Sequence, residues 1–307
     1  MTTETSGVSD TPLFWTSPAA RPPSYSRAGF KNVTAPKILR VSLIDYVNTW
    51  PLTWGFLQGA GERVELLHDT PAACAARLAR GEVDAGLIPA VEAARIPGVR
   101  LVRGVGIAAR ERVRSVVLVS RRPLVGEAAT IRTVALDVSS RSSAAMVRIL
   151  LRDLCRLEPE YHEAVPDLSE MLRHYDAALL IGDPALTANL EGMHVLDLAE
   201  GWRRLTGLPF VFAVWAVRPS VPPEPFLWSR DYGKRHVPEL VDAAVRRTGL
   251  PRELVATYLE GNLHHDLDET DEKGLAEFYL RAHRHGLIPS PDVPPFAGVP
   301  LVPLREI

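Results

Sequence analysis

Two strand-to-helix junctions hold the side chains of this sequence best placed to do chemistry. In the first, "VSLIDYVNTWPL" (residues 41–52) runs an apolar segment into Asn48, Thr49 and Pro51. In the second, "LDVSSRSSAAM" sets four hydroxyls, Ser139, Ser140, Ser142 and Ser143, where a strand gives way to a long helix. The start of a helix presents unpaired N–H groups and the positive end of its dipole, a ready place for a carboxylate or phosphate. One serine would suffice to cap such a helix. Spacing therefore leaves two readings open, a capped helix with solvated hydroxyls or an anion site. Asn48 has the same two readings, N-cap or ligand contact, because open α/β sheets bind ligands beyond their strand ends. Asp183 in "LLIGDPAL" is a third polar residue between a strand and a helix, where capping is the simplest account. Three such positions, spread over both halves of the chain, describe a cleft.

Other chemistries find less support. Neither the G-x-G-x-x-G of a dinucleotide site nor the G-x-x-x-x-G-K-[ST] of a phosphate loop occurs, and "GVGIAAR" (104–110) is only a near miss. His264 and His265 are adjacent and would face opposite ways, and His283 and His285 stand two apart on a helix, so neither pair suits a metal. "DLDETDEKG" has Asp271 where a calcium loop needs glycine, and reads as a solvated helix start. We therefore expect no metal and no cofactor. With 35 Lys+Arg against 37 Asp+Glu and a net charge of −2, no basic stripe is available for nucleic acid. An anionic ligand would be held by local donors.

The elements that must position these residues alternate. "KILRVSLI", "RVELLHD" and "VDAGLIP" read as strands separated by the helices "NTWPLTWGFLQG" and "PAACAARLARGE", the second bounded by Pro71 and Gly81. "SVVLVS", "TVALD", "DAALLIGD", "HVLDL" and "LPFVFAVWAV" continue as strands, with an amphipathic helix starting near Ser140 and a short one at "PALTANLEG". From about Pro222 the chain turns helical. This is the α/β class. At 307 residues, two lobes are expected, since single cores stop growing near roughly 250–300 residues. Cys74 and Cys155 read as free thiols. Residues 1–36, rich in Ser, Thr and Pro, read as a disordered tail without a secretory signal, and no apolar run is long enough to span a membrane. A cytoplasmic protein with no membrane partner is expected.

Taken in order, "YVNTWPL", "GEVDAGLIP", "VRSVVLVS", "VALDVSSRSSAAM", "DAALLIGDPAL" and "TGLPFVFAVWA" resemble the chorismate dehydratases of the futalosine route to menaquinone. The resemblance runs from about Lys37 to Arg218 and is looser in the C-terminal third. It implies the two-lobed fold of type II periplasmic binding proteins, with a cleft between the lobes and a helical C-terminal region. Lobe 1 would span 37–118 plus 214–307 and lobe 2 119–213, with "RSVVLVS" and "FVFAVWAV" as hinge strands.

The implied reaction removes water from chorismate to give 3-[(1-carboxyvinyl)oxy]benzoate without a cofactor, the substrate's own enolpyruvyl carboxylate taking the ring proton. Carried over by position, Asn48 and Ser115 would be catalytic, and Asn48 would both cap its helix and face the ligand, holding either the leaving hydroxyl or the side-chain carboxylate. Thr49 and the turn of Ser139, Ser140, Arg141, Ser142 and Ser143 would bind substrate, Ser142 standing where the family more often has threonine. Asp183, Thr206, Gly207 and Phe210 would line the cleft from the second lobe. Asp45 receives no role, since a carboxylate there would repel a dianion unless paired or turned away. The same fold serves solute-binding proteins, and a sister enzyme, 1,4-dihydroxy-6-naphthoate synthase, is the other rival. That enzyme would offer a histidine base, and no histidine falls within these motifs.

Overall fold

The computed structural model describes residues 38–58, 64–124, 126 and 129–297. The expected tail, 1–36, lies outside the described residues. Strand β1 (Leu39–Ile44) leads through a 3-10 turn at Val47–Thr49 into α1 (Trp50–Leu57), with proline in its first turn. Then come β2 (Val64–Asp69), α2 (Pro71–Arg80), β3 (Ala85–Pro89), α3 (Ala90–Ala93) and β4 (Arg100–Ala109). Helix α2 begins where Thr70 accepts the Ala73 N–H and ends at Gly81, whose φ of 75° suits a residue without Cβ.

The chain next builds a second sheet: β5 (Val116–Ser120), β6 (Thr133–Asp137), α4 (Ser142–Ile149), β7 (Glu160–Ala164), α5 (Leu168–His174), β8 (Ala177–Ile181), α6 (Gly182–Thr187), β9 (His194–Asp197) and α7 (Leu198–Thr206). It returns through β10 (Phe210–Val217), α8 (Glu224–Arg235), α9 (Val237–Thr248), α10 (Arg252–Thr257), β11 (His264–Asp266), α11 (Glu269–Arg284) and β12 (Phe296–Ala297). The first sheet runs β11-β4-β10-β3-β1-β2, with β12 beside β4, and the second runs β7-β6-β8-β5-β9. Strands β3 and β10 are buried along their whole length, which explains their unbroken apolar sequences.

Two crossings join the sheets, at 110–115 and 198–209. The expected lobe boundaries at 118/119 and 213/214 fall inside β5 and β10. Each strand belongs wholly to one sheet, so sheet membership moves both boundaries into the connections. One buried carboxylate ties the crossings together. Asp197 accepts the N–H groups of Val113 (3.1 Å) and Arg114 (2.7 Å) on the first and that of Ala199 (3.1 Å) at the start of α7. Arg114 has φ 62°, unusual for a residue with a side chain, and this bond helps to hold it there. "GVGIAAR", the near miss for a nucleotide loop, lies largely in β4.

Candidate active site

Between the two sheets is a cavity, partly open to solvent, whose free space with that open solvent included comes to about 560 Å³. The end of β1 supplies Ile44, Tyr46, Asn48 and Thr49, and β3 ends at Pro89 on the same wall. Ile107, Phe212 and Ala213 form the floor from β4 and β10. The second sheet contributes Ser140, Arg141, Ser142 and Ser143 ahead of and within α4, with Ile181 and Gly182 after β8. Phe212 stands at a register shift between Val211 and Ala213, and such a bulge re-aims a side chain that strict alternation would send elsewhere.

Residues of the two sheets bond across the cavity. The Val47 N–H donates to Asp183 (3.2 Å), and the Val91 N–H donates to the Ser142 hydroxyl (3.1 Å). The Ser139 hydroxyl donates to Asp137 at 2.7 Å. The Tyr46 ring lies over Gly182, where a Cβ would come within 3.1 Å of it and where φ is +63°. At the mouth, Arg247 on α9 donates to Asp183 and to Asp45, each at 2.9 Å, and stacks over Trp50. Burial raises the Asp183 carboxyl above its ordinary pKa despite these bonds. Burial would also raise Asp45, but donors from Arg247 and Trp50 outweigh it and leave Asp45 lowered. The repulsion expected of Asp45 is thus neutralised by pairing.

No side chain among the described residues caps α4, whose N-cap position is Arg141. Its first N–H groups therefore face the serine turn without a side-chain acceptor, the arrangement that receives an anion. Asn48 has a second unfilled group: its Oδ1 is buried without a hydrogen-bond partner. Beneath it, His265 Nε2 lies 3.1 Å from the Asn48 carbonyl oxygen. Burial lowers the His265 pKa to about 4, so the ring is neutral at pH 7 and donates that bond.

A family model described as menaquinone biosynthesis matches residues 39–284. The chain belongs to the menaquinone biosynthesis family. It is 32% identical over 256 residues to a chorismate dehydratase of Thermus thermophilus, covering 76% of this chain and 91% of that one. Among solved structures it is similar to protein AF1704 of Archaeoglobus fulgidus, with a TM-score of 0.66, 19% identity and 81% and 98% of the two chains covered. It is also similar to the alkanesulfonate-binding protein SsuA of Xanthomonas axonopodis pv. citri, with 0.62, 15%, 85% and 97%. These two likenesses bear on fold alone, and the fold is the expected periplasmic-binding-protein type.

In this menaquinone-family chain, Asn48, Thr49, Ser140, Arg141, Ser142 and Ser143 share the cavity wall; Ser139 does not line it and gives its hydroxyl to Asp137. Asn48 does not cap α1: the intervening 3-10 turn moves the helix start to Trp50, and Thr49 stands at the N-cap. Thr49 gives its hydroxyl to the Ile44 carbonyl (2.6 Å), which fixes the turn. Ser115 lies off the wall, fully buried, and its hydroxyl accepts from Tyr258 at 2.7 Å. Asp183 sits at the mouth.

Thr206, Gly207 and Phe210 do not line the cavity. The Thr206 hydroxyl is spent on the Trp202 carbonyl (2.9 Å), Gly207 at φ 75° ends α7, and Phe210 packs against Trp202 and Phe278. Tyr46, Phe212, Tyr258 and Arg247 were not singled out from the sequence. Tyr46 lies inside the quoted "YVNTWPL"; the others carry no local signal.

Proposed function

We propose that this protein dehydrates chorismate to 3-[(1-carboxyvinyl)oxy]benzoate in menaquinone biosynthesis. The cavity lining carries the reading. Among the described residues its polar members are hydroxyls, one amide and the Arg141 guanidinium, with no carboxylate, imidazole or ammonium group. Such a wall suits a dianion and offers no strong side-chain base. Loss of the ring hydroxyl and a ring hydrogen from chorismate yields an aromatic ring, so the driving force resides in the substrate. The protein's task is orientation and exclusion of water.

In this reading the serine turn and the start of α4 hold one carboxylate, with Arg141 beside them. Asn48 meets the departing hydroxyl, and the enolpyruvyl carboxylate takes the ring proton that leaves with it as water. The exchange is redox-neutral and consumes no cofactor. The 32% identical relative named chorismate dehydratase supports the choice of substrate. The lining disfavours the sister synthase, since the nearest imidazole to Asn48, His265, lies behind it and is committed to its carbonyl. Among the described residues no helix is long and apolar enough to cross a membrane, and we place the enzyme in the cytoplasm with the rest of such a biosynthetic route.

The test is to incubate the purified protein with chorismate and follow the mass spectrum. A species lighter by one water, absent with Asn48→Ala, is expected. Bound but unchanged chorismate would instead indicate a solute-binding protein.

A further inference from the structure

Asn48 is the middle residue of the 3-10 turn Val47–Thr49, and in such a turn each carbonyl is met by the N–H three residues further on. The Thr49 N–H bonds the Tyr46 carbonyl at 3.0 Å, and the Trp50 N–H bonds that of Val47. The next donor in the series would serve the Asn48 carbonyl, but residue 51 is proline and has no N–H. His265 fills the place: its Nε2 lies 3.1 Å from the Asn48 carbonyl oxygen, 217 positions away in sequence. A neutral imidazole carries one N–H and a carbonyl oxygen can only accept, so Nε2 holds the hydrogen. Adjacent residues of a strand face opposite ways, and β11 uses both faces. His264 turns to Asp271, a fully buried carboxylate of α11, at 2.8 Å. Asp266 is paired with Lys234 and Arg230 of α8. His265, buried between these two anchors, turns to the segment that follows β1.

We propose that His265 is a positioning residue for the reaction: its Nε2–H replaces the donor that Pro51 lacks and holds the turn on which Asn48 is carried to the cavity. Asn48 lines the cavity and His265 does not, so the imidazole acts through the Asn48 main chain. The other bonds of this turn are made at its two ends. The Thr49 hydroxyl bonds the Ile44 and Tyr46 carbonyls, and the Val47 N–H reaches Asp183. His265 supplies the bond at the middle, on the residue that meets the substrate. Without it the peptide between Asn48 and Thr49 is free to tilt, and a displacement of about 1 Å at a reacting contact can cost about a hundredfold in rate.

The inference rests on the dehydratase reading, and the outcomes separate the two. His265→Leu keeps an apolar bulk and removes the donor, whereas His265→Gln sets a side-chain N–H near the place of Nε2. For His265→Leu with an unchanged circular dichroism spectrum, we expect kcat to fall about tenfold or more. KM should stay within about threefold, because the serine turn that takes the carboxylate is untouched. His265→Gln should keep kcat within about threefold of the wild type. In an Asn48→Ala background His265→Leu should cost less than about twofold, since the group it positions is gone. Full activity of His265→Leu, equal losses in the two variants, or losses that multiply in the double variant would overturn the proposal. A wild-type protein that leaves chorismate intact would contradict the dehydratase reading itself and take the role of His265 in the reaction with it.

The bond itself can be read without turnover. The sequence holds a single Asn-Thr step, Asn48–Thr49. Protein labelled with ¹³C-carbonyl asparagine and ¹⁵N threonine therefore gives one correlated amide signal, which reports the Asn48 carbonyl. That carbon should move upfield in His265→Leu and stay near its wild-type position in His265→Gln. A resonance unmoved in His265→Leu would refute the link. Should His265→Leu not fold, the wild type suffices: ¹⁵N-labelled histidine should show the His265 ring protonated at Nε2 alone at pH 7. A proton on Nδ1 instead would overturn the proposal.

Discussion

Arg247 and Asp183 meet at the mouth of the cleft at 2.9 Å, one carried on α9 beside the first sheet and the other on α6 beside the second. The same guanidinium also grips Asp45 through both its carboxylate and its carbonyl. An ion pair of this kind, partly exposed, contributes about 1 kcal/mol or less. Its importance lies in where it acts, since it joins α9 to α6, the helix that follows β8 of the second sheet.

Arg247→Ala should therefore weaken closure more than folding. We expect kcat/KM for chorismate to fall about fivefold, the factor that about 1 kcal/mol supplies. Raising the salt concentration should reproduce part of the loss in the wild type and none of it in the variant. Steady-state kinetics at low and high ionic strength provide the check, and equal salt sensitivity in both proteins would remove Arg247 from this role.

His265 should make the protein acid-sensitive. Burial holds its folded-state pKa near 4, against 6.5 for an ordinary imidazole. The unfolded chain thus takes a proton that the folded one refuses. Stability from this group is complete above about pH 6.5 and is lost as pH falls toward 4, by up to about 3 kcal/mol. Thermal midpoints of the wild type and His265→Gln across pH 4–7.5 test this. The variant should show the shallower pH dependence, whatever its baseline.

Gly182 stands at φ +63° with the Tyr46 ring 3.1 Å from where a Cβ would lie. Gly182→Ala should cost about 1–2 kcal/mol for the left-handed backbone alone and displace Tyr46. A lower melting temperature together with a raised KM is expected. A variant with wild-type affinity would show that Tyr46 does not need this seat.

Asn48→Ala should separate activity from folding. Since Asn48 makes no cap bond to α1, the usual loss of about 1 kcal/mol for removing a cap does not apply. Turnover should drop at least about a hundredfold while the thermal midpoint moves by no more than a few degrees. A parallel loss of both would assign Asn48 a structural role.

Much of the fold and part of the site could be read in the sequence because their signals are local. Helix α11 has acidic residues in its first turn, a reciprocal Asp268–Asp271 cap and Gly286 beyond its end, as its sequence announces. Asn48 and the serine turn lie on the cavity because strand ends of an open sheet face the cleft. The rest depends on long-range geometry. Phe212 reaches the cavity only through a bulge, and Tyr258 and Arg247 act on partners 143 and 202 positions away. Thr206 and Gly207 have strand-edge positions in sequence but are consumed in ending α7. The two glycines of β4 imitate a loop for different reasons: a Cβ on Gly106 would lie 2.8 Å from the Ala213 carbonyl oxygen, while Gly104 stands at φ 75°.

The most direct test of the central claim is proton NMR of chorismate during incubation with the protein. The account predicts that the ring CH–O and CH–OH signals disappear, a meta-substituted aromatic pattern grows in, and both vinylic protons of the enolpyruvyl group persist. An unchanged ring, or loss of the vinylic pair as pyruvate departs, would contradict it.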